Sequence, residues 1–478
     1  MEKCKRVESG EILLPEAIIH HIQSFMTGKE AAQTSVFSKH WYSAWSTRPN
    51  LDFNYRDFVN RGHIPGRFKD FVKKTIQRYE ELNLTIDSIG LRANWWEKRR
   101  LSLYDEWVLK GMQMGATDFK LHLMHPLSSF SLPKELLGSE NLVRLSAIGC
   151  TIDLGVNGKV SWSKLKSLSL HKVYFEGDVI CDIILSCPLI EELLLSECVF
   201  KVHTSDYRRR KLAWSTNLFE LRKLRCLSLK EVKIDTSFFC DFSLKFPCLK
   251  DLIVDNCHGY KAINISSPSL ERISFVVKKK MLRVSFEVPC IRKFTFSGSD
   301  LPCLPCFYFG TSSSFVYKWE SDISVTCSGN DYGHLTPLLW FDKMKRLLVD
   351  LSPSRISLTL GITVSDVFRD VIQGLSKVFK PPVVDNLRVL TGAPSLAVLS
   401  CLFWICRPKF ISFTGVKADI LELLCERSFG HMFDLKEVNM EFYDENLSEW
   451  GPALSLKALL DAYPENKQNI RFKLRWDD

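Results

Sequence analysis

The most regular pattern of hydrophobic and polar positions lies in the middle of the chain, where an apolar residue is followed by two more, three and five positions later. This pattern occurs seven times between residues 142 and 296, with middle positions at 145, 168, 193, 227, 252, 273 and 294. The steps between them are 23, 25, 34, 25, 21 and 21 residues. Apart from the step of 34, which contains an insertion, each has the length of one leucine-rich repeat. Such repeats predict stacked copies that each add one strand to a parallel sheet and one helix or irregular segment behind it.

Three of the seven copies place a cysteine three residues after the last apolar position. These cysteines are Cys150, Cys198 and Cys257. In leucine-rich repeats an asparagine or cysteine at this site fills the turn that leaves the strand with a small buried side chain. We therefore expect these three thiols to be structural.

The residues between the apolar positions are predicted to line the exposed, concave face of the sheet. A partner can bind this face by shape and charge. Candidates are Arg144, Ser146, Lys166, Ser169, Arg225, Ser228, Arg272, Ser274, Lys293 and Thr295.

The pattern is less regular on both sides of these copies. Before them we predict a helix within residues 58–79, a strand at 82–86, a helix at about 106–114 and a strand at 119–123. Residues 299–340 are interpreted as an irregular repeat or a long loop. After them the predicted strands lie near 356–362, 387–390, 410–413, 435–440 and 470–474, and the helices near 365–379, 394–406, 418–426 and 453–463. This region is expected to continue the stack of repeats and to cap it.

The N-terminal segment has a helical pattern of a different kind. From Pro15, expected at the first helical position, apolar residues such as Ile18, Ile22 and Phe25 recur at the spacing of one helix face. A second short helix is predicted at 29–36, and Ser38 is a suitable cap for a third. Three helices in about 35 residues bury too little apolar surface to be stable alone, so the segment needs a partner or a neighbouring domain.

Residues 11–53 resemble the F-box of plant proteins. The resemblance is carried by Leu14-Pro15-Glu16, Ile18, His21-Ile22, Phe25, Thr34-Ser35-Val36, Ser38-Lys39, Trp41, Trp45 and Pro49-Asn50-Leu51-Asp52-Phe53. The segments beginning Cys187-Pro188 and Phe246-Pro247 look like the joint between repeats that is typical of plant F-box/leucine-rich-repeat proteins.

This resemblance implies docking on a Skp-type adaptor, which joins a cullin scaffold in a ubiquitin ligase. Carried over position by position, the adaptor-binding residues would be Leu14, Pro15, Ile18, Ile22, Val36, Ser38 and Trp41. Gln23, Phe37 and His40 depart from the family pattern, in which leucine, leucine and arginine are usual. A polar side chain left unpaired at a contact position would cost on the order of 1 kcal/mol and would reduce the affinity for the adaptor.

The predicted fold class is an α/β solenoid, in which a three-helix F-box precedes a leucine-rich-repeat arc with a parallel sheet. We divide the chain into a tail (1–10), the F-box (11–57), a linker helix with the first irregular repeats (58–124), the leucine-rich repeats (125–300) and irregular repeats with a C-terminal cap (301–478).

Composition and charge limit the setting in which the protein works. Of the 478 residues, 46% are hydrophobic and 25% are charged, as in ordinary folded proteins. The first residues lack the apolar core of a secretion signal, and the longest nearly apolar run, at about 396–406, is too short to span a bilayer. We therefore expect a cytoplasmic or nuclear protein with no membrane partner, whose 16 cysteines are reduced thiols.

The net charge of +9 is a mild basic bias for a chain of this length. Basic runs lie at 98–100, 208–211 and 278–280. They are scattered and lie in no recognisable nucleic-acid module, so solvated loops or strand edges are favoured over nucleic-acid binding.

Candidate chemistry is sparse. Cys303 and Cys306 form a lone CxxC pair, whereas a structural zinc site needs four ligands. Residues 155–159 lack the spacing of a phosphate-binding loop, and the histidine pairs 20–21 and 122–125 are interpreted as surface or packing residues. We predict no cofactor, no metal and no catalytic activity. The favoured function is the substrate-recognition subunit of a Skp, cullin and F-box ubiquitin ligase with an unknown target protein; the alternatives are a small-molecule receptor and a scaffold without ligase function.

Overall fold

The chain divides into two compact units, Met1–Leu212 and Ala213–Asp478. The structure is a computed structural model, and it describes residues 14–59, 66–94, 101–124, 130–155, 158–176, 179–201, 210–211, 213–214, 221–234, 236–260, 262–277, 283–298, 306–309, 319–327, 337–362, 381–390, 396–413, 424, 434–444, 449–451, 454–455 and 470–477. The division between the units falls inside the predicted segment 125–300, and the predicted domain boundaries stay predictions.

The first unit begins with helices and continues as a parallel sheet. Its helices are α1 (Glu16–Ser24), α2 (Gly28–Thr34), α3 (Lys39–Thr47), α4 (Arg56–Val59), α5 (Gly66–Glu81), α6 (Leu101–Gln113), α7 (Lys134–Leu137) and α8 (Ile180–Leu185). Its strands are β1 (Asn50–Asn54), β2 (Ser88–Asn94), β3 (Asp118–Met124), β4 (Arg144–Ile148), β5 (Thr151–Ile152), β6 (Ser167–His171), β7 (Tyr174–Glu176), β8 (Glu192–Ser196), β9 (Val199–Lys201) and β10 (Arg210–Lys211). Strands β1, β2, β3, β4, β6 and β8 pair in this order, all parallel. The short strands β5, β7 and β9 form a second parallel sheet, which β10 extends antiparallel.

The second unit repeats this arrangement. Its strands are β11 (Ala213–Trp214), β12 (Cys226–Lys230), β13 (Lys233–Ile234), β14 (Asp251–Asp255), β15 (Ala262–Ser266), β16 (Arg272–Val277), β17 (Arg283–Glu287), β18 (Lys293–Gly298), β19 (Cys306–Phe309), β20 (Glu320–Cys327), β21 (Arg355–Ile362), β22 (Val383–Leu390), β23 (Arg407–Phe413), β24 (Leu435–Asp444), β25 (Glu449–Trp450), β26 (Leu454–Ser455) and β27 (Ile470–Trp476). Its helices are the 3₁₀ turn Thr236–Phe239, α9 (Phe242–Lys245), α10 (Pro337–Asp350) and α11 (Leu396–Ile405). Strands β12, β14, β16, β18, β20, β21, β22 and β23 pair in this order, all parallel. A second parallel sheet consists of β15, β17 and β19, and β11 pairs with β13.

The seven predicted repeats are confirmed strand by strand. In the first unit Leu145, Leu168 and Leu193 are register partners, and in the second unit Leu252 pairs with Leu227 and with Ile273. All of these side chains are buried. A fixed register is expected because a slip of one residue would move every core side chain to the solvent face.

The turn that leaves each of the first five of these strands has a common geometry. Its first residue has a positive φ of 69° at Gly149, 52° at Lys172, 52° at Glu197, 53° at Glu231 and 49° at Asn256. The next residue is buried each time: Cys150, Val173, Cys198, Val232 and Cys257. The Sγ of Cys198 donates to the Leu170 carbonyl at 3.4 Å, and that of Cys257 donates to the Leu229 carbonyl at 3.3 Å. The predicted structural role of the cysteines is confirmed, with valine taking the same place in two repeats.

Two strands differ from the sequence-based expectation at the start of the sheet. The strand predicted at 82–86 is wrong, because the chain turns there and β2 begins at Ser88. Leu82 is exposed, so the short alternation of leucines did not mark a strand face. Strand β1 lies inside the segment assigned to the F-box, and it was not predicted.

Residues 299–340 contain a further strand of the main sheet, β20, as well as β19. It escaped notice because the first core position of β20 is Ser321 instead of an apolar residue. Ser321 is fully buried, and its Oγ lies 2.6 Å from Ser354 Oγ in a buried hydrogen bond. A hydrogen-bonded pair of hydroxyls thus replaces the usual apolar contact, which breaks the hydrophobic pattern without breaking the sheet.

The parallel stack continues to β23, and the last part of the chain then pairs antiparallel, a direction that the predicted cap had left open. Strand β27 pairs antiparallel with β23, and β24 pairs antiparallel with β25, β26 and β27. The helix predicted at 453–463 is wrong at Leu454–Ser455, which form β26. The helix predicted at 365–379 lies outside the described residues. So does the helix predicted at 418–426, of which only residue 424 is described. Strands near 356–362, 387–390, 410–413, 435–440 and 470–474 and the helix near 394–406 are confirmed.

The large parallel sheets and their helices fit the predicted solenoid-like α/β fold. The predicted curvature of the repeats into an arc stays a prediction. None of the helices in the described part of the chain has the length and apolar composition needed to cross a bilayer.

Candidate docking surfaces

The first three helices are fixed locally by their caps. Pro15 is the N-cap of α1, one position earlier than predicted. The Thr27 side chain accepts from the backbone of Glu30 while the Glu30 carboxylate accepts from the Thr27 amide, which is a complete capping box for α2. These hydrogen bonds lower the pKa of Glu30. Ser38 caps α3 by accepting from the Trp41 amide at 3.2 Å, as the sequence predicted.

The three helices are held together partly by polar side chains. Gln23 is only 2% exposed, and its Nε2 donates to Thr34 Oγ1 at 3.0 Å. The Nε2 of His20 lies 2.9 Å from the Ala44 carbonyl on α3. The interpretation of Gln23 as an adaptor contact that weakens binding is therefore wrong, because its side chain points into the interior. The Oε1 of Gln23 is buried without a hydrogen-bond partner, so the unpaired oxygen lowers the free energy of unfolding and does not affect adaptor binding.

Several large apolar side chains of these helices are exposed to solvent. The exposed fractions are 38% for Leu14, 46% for Ile18, 79% for Phe25, 80% for Val36, 69% for Phe37 and 54% for Tyr42. A cluster of large exposed apolar residues typically marks a site of protein interaction.

Side-chain contacts bring several of these residues together. The Nε2 of His40 lies 2.7 Å from the Leu14 carbonyl, which places the start of α1 beside the first turn of α3. The rings of Phe37 and Trp41 meet edge to face, with centroids 5.6 Å apart. Ile18 follows Leu14 by one helical turn, and Val36 precedes Phe37. We call these residues, Leu14, Ile18, Val36, Phe37 and Trp41, the helical surface.

The predicted adaptor-binding residues divide into two groups. Leu14, Pro15, Ile18 and Val36 are exposed, whereas Ile22, Ser38 and Trp41 are half-buried. Ser38 also has the structural role of a cap. Sequence reasoning did not assign Phe25, Phe37 or Tyr42 to adaptor binding: Phe25 was placed only on one helix face with Ile18 and Ile22, and Phe37 was regarded only as a departure from the family pattern.

Contacts with the sheet anchor the three helices. The Tyr79 hydroxyl on α5 donates to the Arg48 carbonyl at 2.8 Å, and the Asp87 amide donates to the Pro49 carbonyl at 2.7 Å. Helix α2 starts so close to β1 that a Cβ on Gly28 would lie 2.6 Å from the Asp52 carbonyl oxygen. Burial lowers the pKa of Arg48 and raises that of Tyr79. The helices are thus anchored beside β1, which pairs with β2.

The outer face of the first unit's sheet is a second candidate surface. Imidazole and hydroxyl groups lie side by side on it: His122 Nε2 is 3.2 Å from Ser146 Oγ, and His171 Nδ1 is 2.9 Å from Ser196 Oγ. Burial, assisted by nearby Arg92, lowers the pKa of His122. With charged neighbours such as Arg92 and Asp52, this is a polar surface suited to hydrogen bonding and ion pairing.

The ten residues that the sequence predicted to line the exposed face of the sheet lie on the outer side of the main sheet in each unit. Arg144, Lys166, Arg225 and Arg272 are exposed, and the rest, Ser146, Ser169, Ser228, Ser274, Lys293 and Thr295, are half-buried.

The described residues offer little reactive chemistry. Burial raises the pKa of the Cys150, Cys187 and Cys198 thiols to about 12, which keeps them protonated and inert. Among the residues that the structure describes, no group of three or more His, Cys, Asp or Glu side chains is placed to hold a metal ion. The predictions for Cys303, His125, residues 156–157 and the basic runs 98–100 and 278–280 lie outside these residues.

Comparison with known proteins identifies relatives of this chain. Residues 104–218 match the family model described as FBD-associated F-box protein At5g56370, LRR repeats. The chain is 32% identical over 193 residues to the F-box protein At3g59000 of Arabidopsis thaliana, with 38% of each chain covered. It is 25% identical over 316 residues to the F-box/LRR-repeat protein At4g14103 of the same plant, which covers 60% of this chain and 80% of that relative.

A third relative from Arabidopsis thaliana, the putative F-box/LRR-repeat protein At5g41840, is 29% identical over 298 residues, or 57% of this chain and 51% of the relative. The match to At3g59000 spans only about two fifths of that relative's length.

Proposed function

The chain belongs to the plant family of F-box/leucine-rich-repeat proteins, and from this premise we propose that it is the substrate-recognition subunit of a Skp, cullin and F-box ubiquitin ligase. In this proposal the first three helices are the F-box and bind a Skp-type adaptor through the helical surface. The adaptor joins the chain to a cullin, and the sheet faces bind a target protein.

The observation that carries the proposal is the helical surface itself. Val36 is 80% exposed and Phe37 69% exposed, although a helical module of this size has few apolar residues available for its own interior. Exposed apolar side chains of this kind gain free energy when a partner covers them, at about 25 cal/mol for each Å² of apolar area removed from water.

The mechanism is one of positioning. The covalent chemistry belongs to other subunits, and this chain contributes by holding a target where a lysine can meet a ubiquitin-carrying enzyme. The contacts of Tyr79, Asp87 and Gly28 with residues 48–52 support this role, because they tie the helices to the sheet of the same unit. We propose the cytoplasm, the nucleus or both as the place of action.

Co-purification with a Skp-type adaptor tests the proposal. Val36→Asp places a charge in the helical surface at a side chain that is already solvated, so we expect normal folding and adaptor binding weakened at least about tenfold. Val349→Asp is the matched control, since Val349 is 49% exposed on α10 and lies outside the helical surface. It should bind like the native chain.

Two results would contradict the proposal. If the native chain does not bind the adaptor, or if Val36→Asp binds as well as Val349→Asp, the helical surface is not an adaptor site. If the adaptor co-purifies but no cullin accompanies it, the ligase function is wrong and the chain is an interaction scaffold.

A further inference from the structure

The second unit has a basic rim where the strands of its main sheet begin. Four strands are each preceded by one residue of a row: Arg225, Lys250, Glu271 and Arg292. Backbone hydrogen bonds join this row. The Lys250 amide donates to the Arg225 carbonyl at 2.8 Å, the Glu271 amide to the Lys250 carbonyl at 2.9 Å, and the Arg292 amide to the Glu271 carbonyl at 2.7 Å. Each of these residues is followed directly by the first residue of its strand; these are, in order, Cys226, Asp251, Arg272 and Lys293. We call these eight residues the amino-terminal rim. Neighbouring positions in it are about 4.8 Å apart, the spacing of strands in a sheet.

Positive charge exceeds negative charge in the amino-terminal rim. The eight residues include five cations and two carboxylates, a net charge of +3 (5 − 2), in a chain whose total is +9. Arg222 and Lys223, both exposed, immediately precede it. The cationic side chains are accessible, since Lys250 is 53% exposed, Arg272 63% and Arg292 77%.

The ion pairs within the amino-terminal rim leave charge over. Glu271 is shared by two cations: its carboxylate lies 2.8 Å from Lys250 Nζ and 3.2 Å from Arg292 Nε. Arg272 pairs with Asp251 through two guanidinium nitrogens, and Lys293 Nζ lies 2.8 Å from the Asp322 carboxylate on β20. Arg225 is exposed and has no carboxylate partner among the described residues. Lys250 and Arg292 share one carboxylate, and Arg225 has none among the described residues. These three cations can therefore bind a further negatively charged group.

We propose that the amino-terminal rim binds an acidic, extended segment of the target protein. The inference rests on the proposed function, in which the sheets hold the target, and it specifies the chemistry of that target. In an extended segment, alternate side chains are about 6.7 Å apart, so spaced carboxylates reach cations on neighbouring or next-neighbouring strands. The carboxylates of Asp251 and Glu271 favour this partner over nucleic acid, because they would repel an uninterrupted row of phosphates.

A synthetic peptide tests the proposal without knowledge of the target. The probe is a fluorescein-labelled 14-residue peptide of alternating glutamate and serine, and its control replaces glutamate by glutamine. Binding to the full chain is measured by fluorescence anisotropy at low ionic strength, where exposed charges are least screened. We expect the acidic peptide alone to bind, with an affinity that falls as salt is added.

Charge variants locate the binding site. Arg225→Glu and Arg292→Glu should each weaken binding about three- to tenfold, because each removes an exposed attraction and adds a repulsion. Glu271→Gln should strengthen binding about two- to fivefold by releasing Lys250 and Arg292, a gain that a misfolded protein cannot show. The control is Arg283→Glu, an exposed arginine on β17 of the second sheet, which should change the affinity less than about twofold.

Two exposed thiols give a site-specific measurement. Cys248 and Cys290 lie two residues before Lys250 and Arg292. The bound acidic peptide should slow their alkylation by iodoacetamide, followed by mass spectrometry, relative to the exposed Cys240 in the segment before α9.

Several results would overturn the proposal. They are equal binding of the glutamine peptide, unchanged affinity of Glu271→Gln, and an oligonucleotide that binds while the acidic peptide does not. The adaptor experiment depends on Val36 and does not involve the amino-terminal rim. A chain that binds the acidic peptide but no adaptor would therefore refute the ligase function alone.

Discussion

The first three helices and the repeats distribute apolar side chains in opposite ways. In the repeats the leucines, such as Leu168 and Leu252, are completely buried, and the outer face is polar. In the helices Gln23 is buried while Ile18, Val36 and Phe37 are exposed. The repeats thus bury their apolar side chains in their own core, whereas the helices leave several large apolar side chains exposed to solvent. This difference supports the proposal that the helices dock on a partner.

The largest expected effect is a loss of stability in the repeats. Leu168→Ala removes a fully buried side chain whose register partners are Leu145 and Leu193, and it should lower the free energy of unfolding by about 2–5 kcal/mol. Urea denaturation of the native and variant chains measures this. The control is Leu194→Ala at the half-buried, outward position of β8, and an equal loss for both variants would contradict the assignment of the inner face.

A smaller effect of opposite sign is expected inside the helices. Gln23→Leu removes the buried, unpaired Oε1, and Thr34 keeps its hydrogen bond to the Ala31 carbonyl at 2.7 Å. We expect the variant to be more stable by roughly 1 kcal/mol, with unchanged adaptor binding, because Gln23 does not reach the helical surface.

Thermal unfolding and adaptor titration measure these two quantities. Gln33→Leu, at an exposed position of α2, should leave stability nearly unchanged. A destabilised Gln23→Leu would show that the hydrogen bond to Thr34 outweighs the cost of the unpaired oxygen.

The smallest expected effect is on the pH dependence of stability. The hydrogen bonds from Thr27 hold the pKa of Glu30 below its ordinary value of 4.5 in the folded chain. The stabilisation by this carboxylate is therefore present above that ordinary value and is lost as the pH falls through the folded-state pKa.

Glu30→Gln should make the unfolding midpoint less sensitive to pH in this acidic range. The measurement is thermal unfolding at a series of pH values, with Glu140→Gln, an exposed glutamate before β4, as the control. A native-like pH profile for Glu30→Gln would show that the capping box contributes nothing.

The regular repeats and many strands of the irregular region could be predicted from the sequence, whereas strand β20 and the antiparallel pairing could not. The apolar positions around Leu145 and Leu252 recur at one spacing, and the structure places them in the predicted register. Strand β20 was missed because Ser321 is buried through a hydrogen bond to Ser354, which hydrophobicity does not reveal. The antiparallel end was missed because alternation along a strand is the same in either direction.

For the helical surface, the resemblance to plant F-boxes supplied Leu14, Ile18 and Val36, which the structure exposes. Periodicity alone could not separate residues that face the interior from those that face a partner, because both are apolar. The amino-terminal rim was not recognisable in the sequence, since its four pairs of adjacent residues are 25, 21 and 21 positions apart along the chain.

The sequence by itself determined the repeat, its period, the inward leucines and the small residues that fill each turn. These depend on local spacing and on the free energy of burying apolar side chains, both of which are written along the chain. Only the tertiary structure decided that Gln23 turns inward, that Val36 stays exposed, and that Glu271 shares its charge between Lys250 and Arg292. Such outcomes depend on which neighbours meet in space, because the free energy of a polar or charged group is set by its partners and not by its place in the sequence.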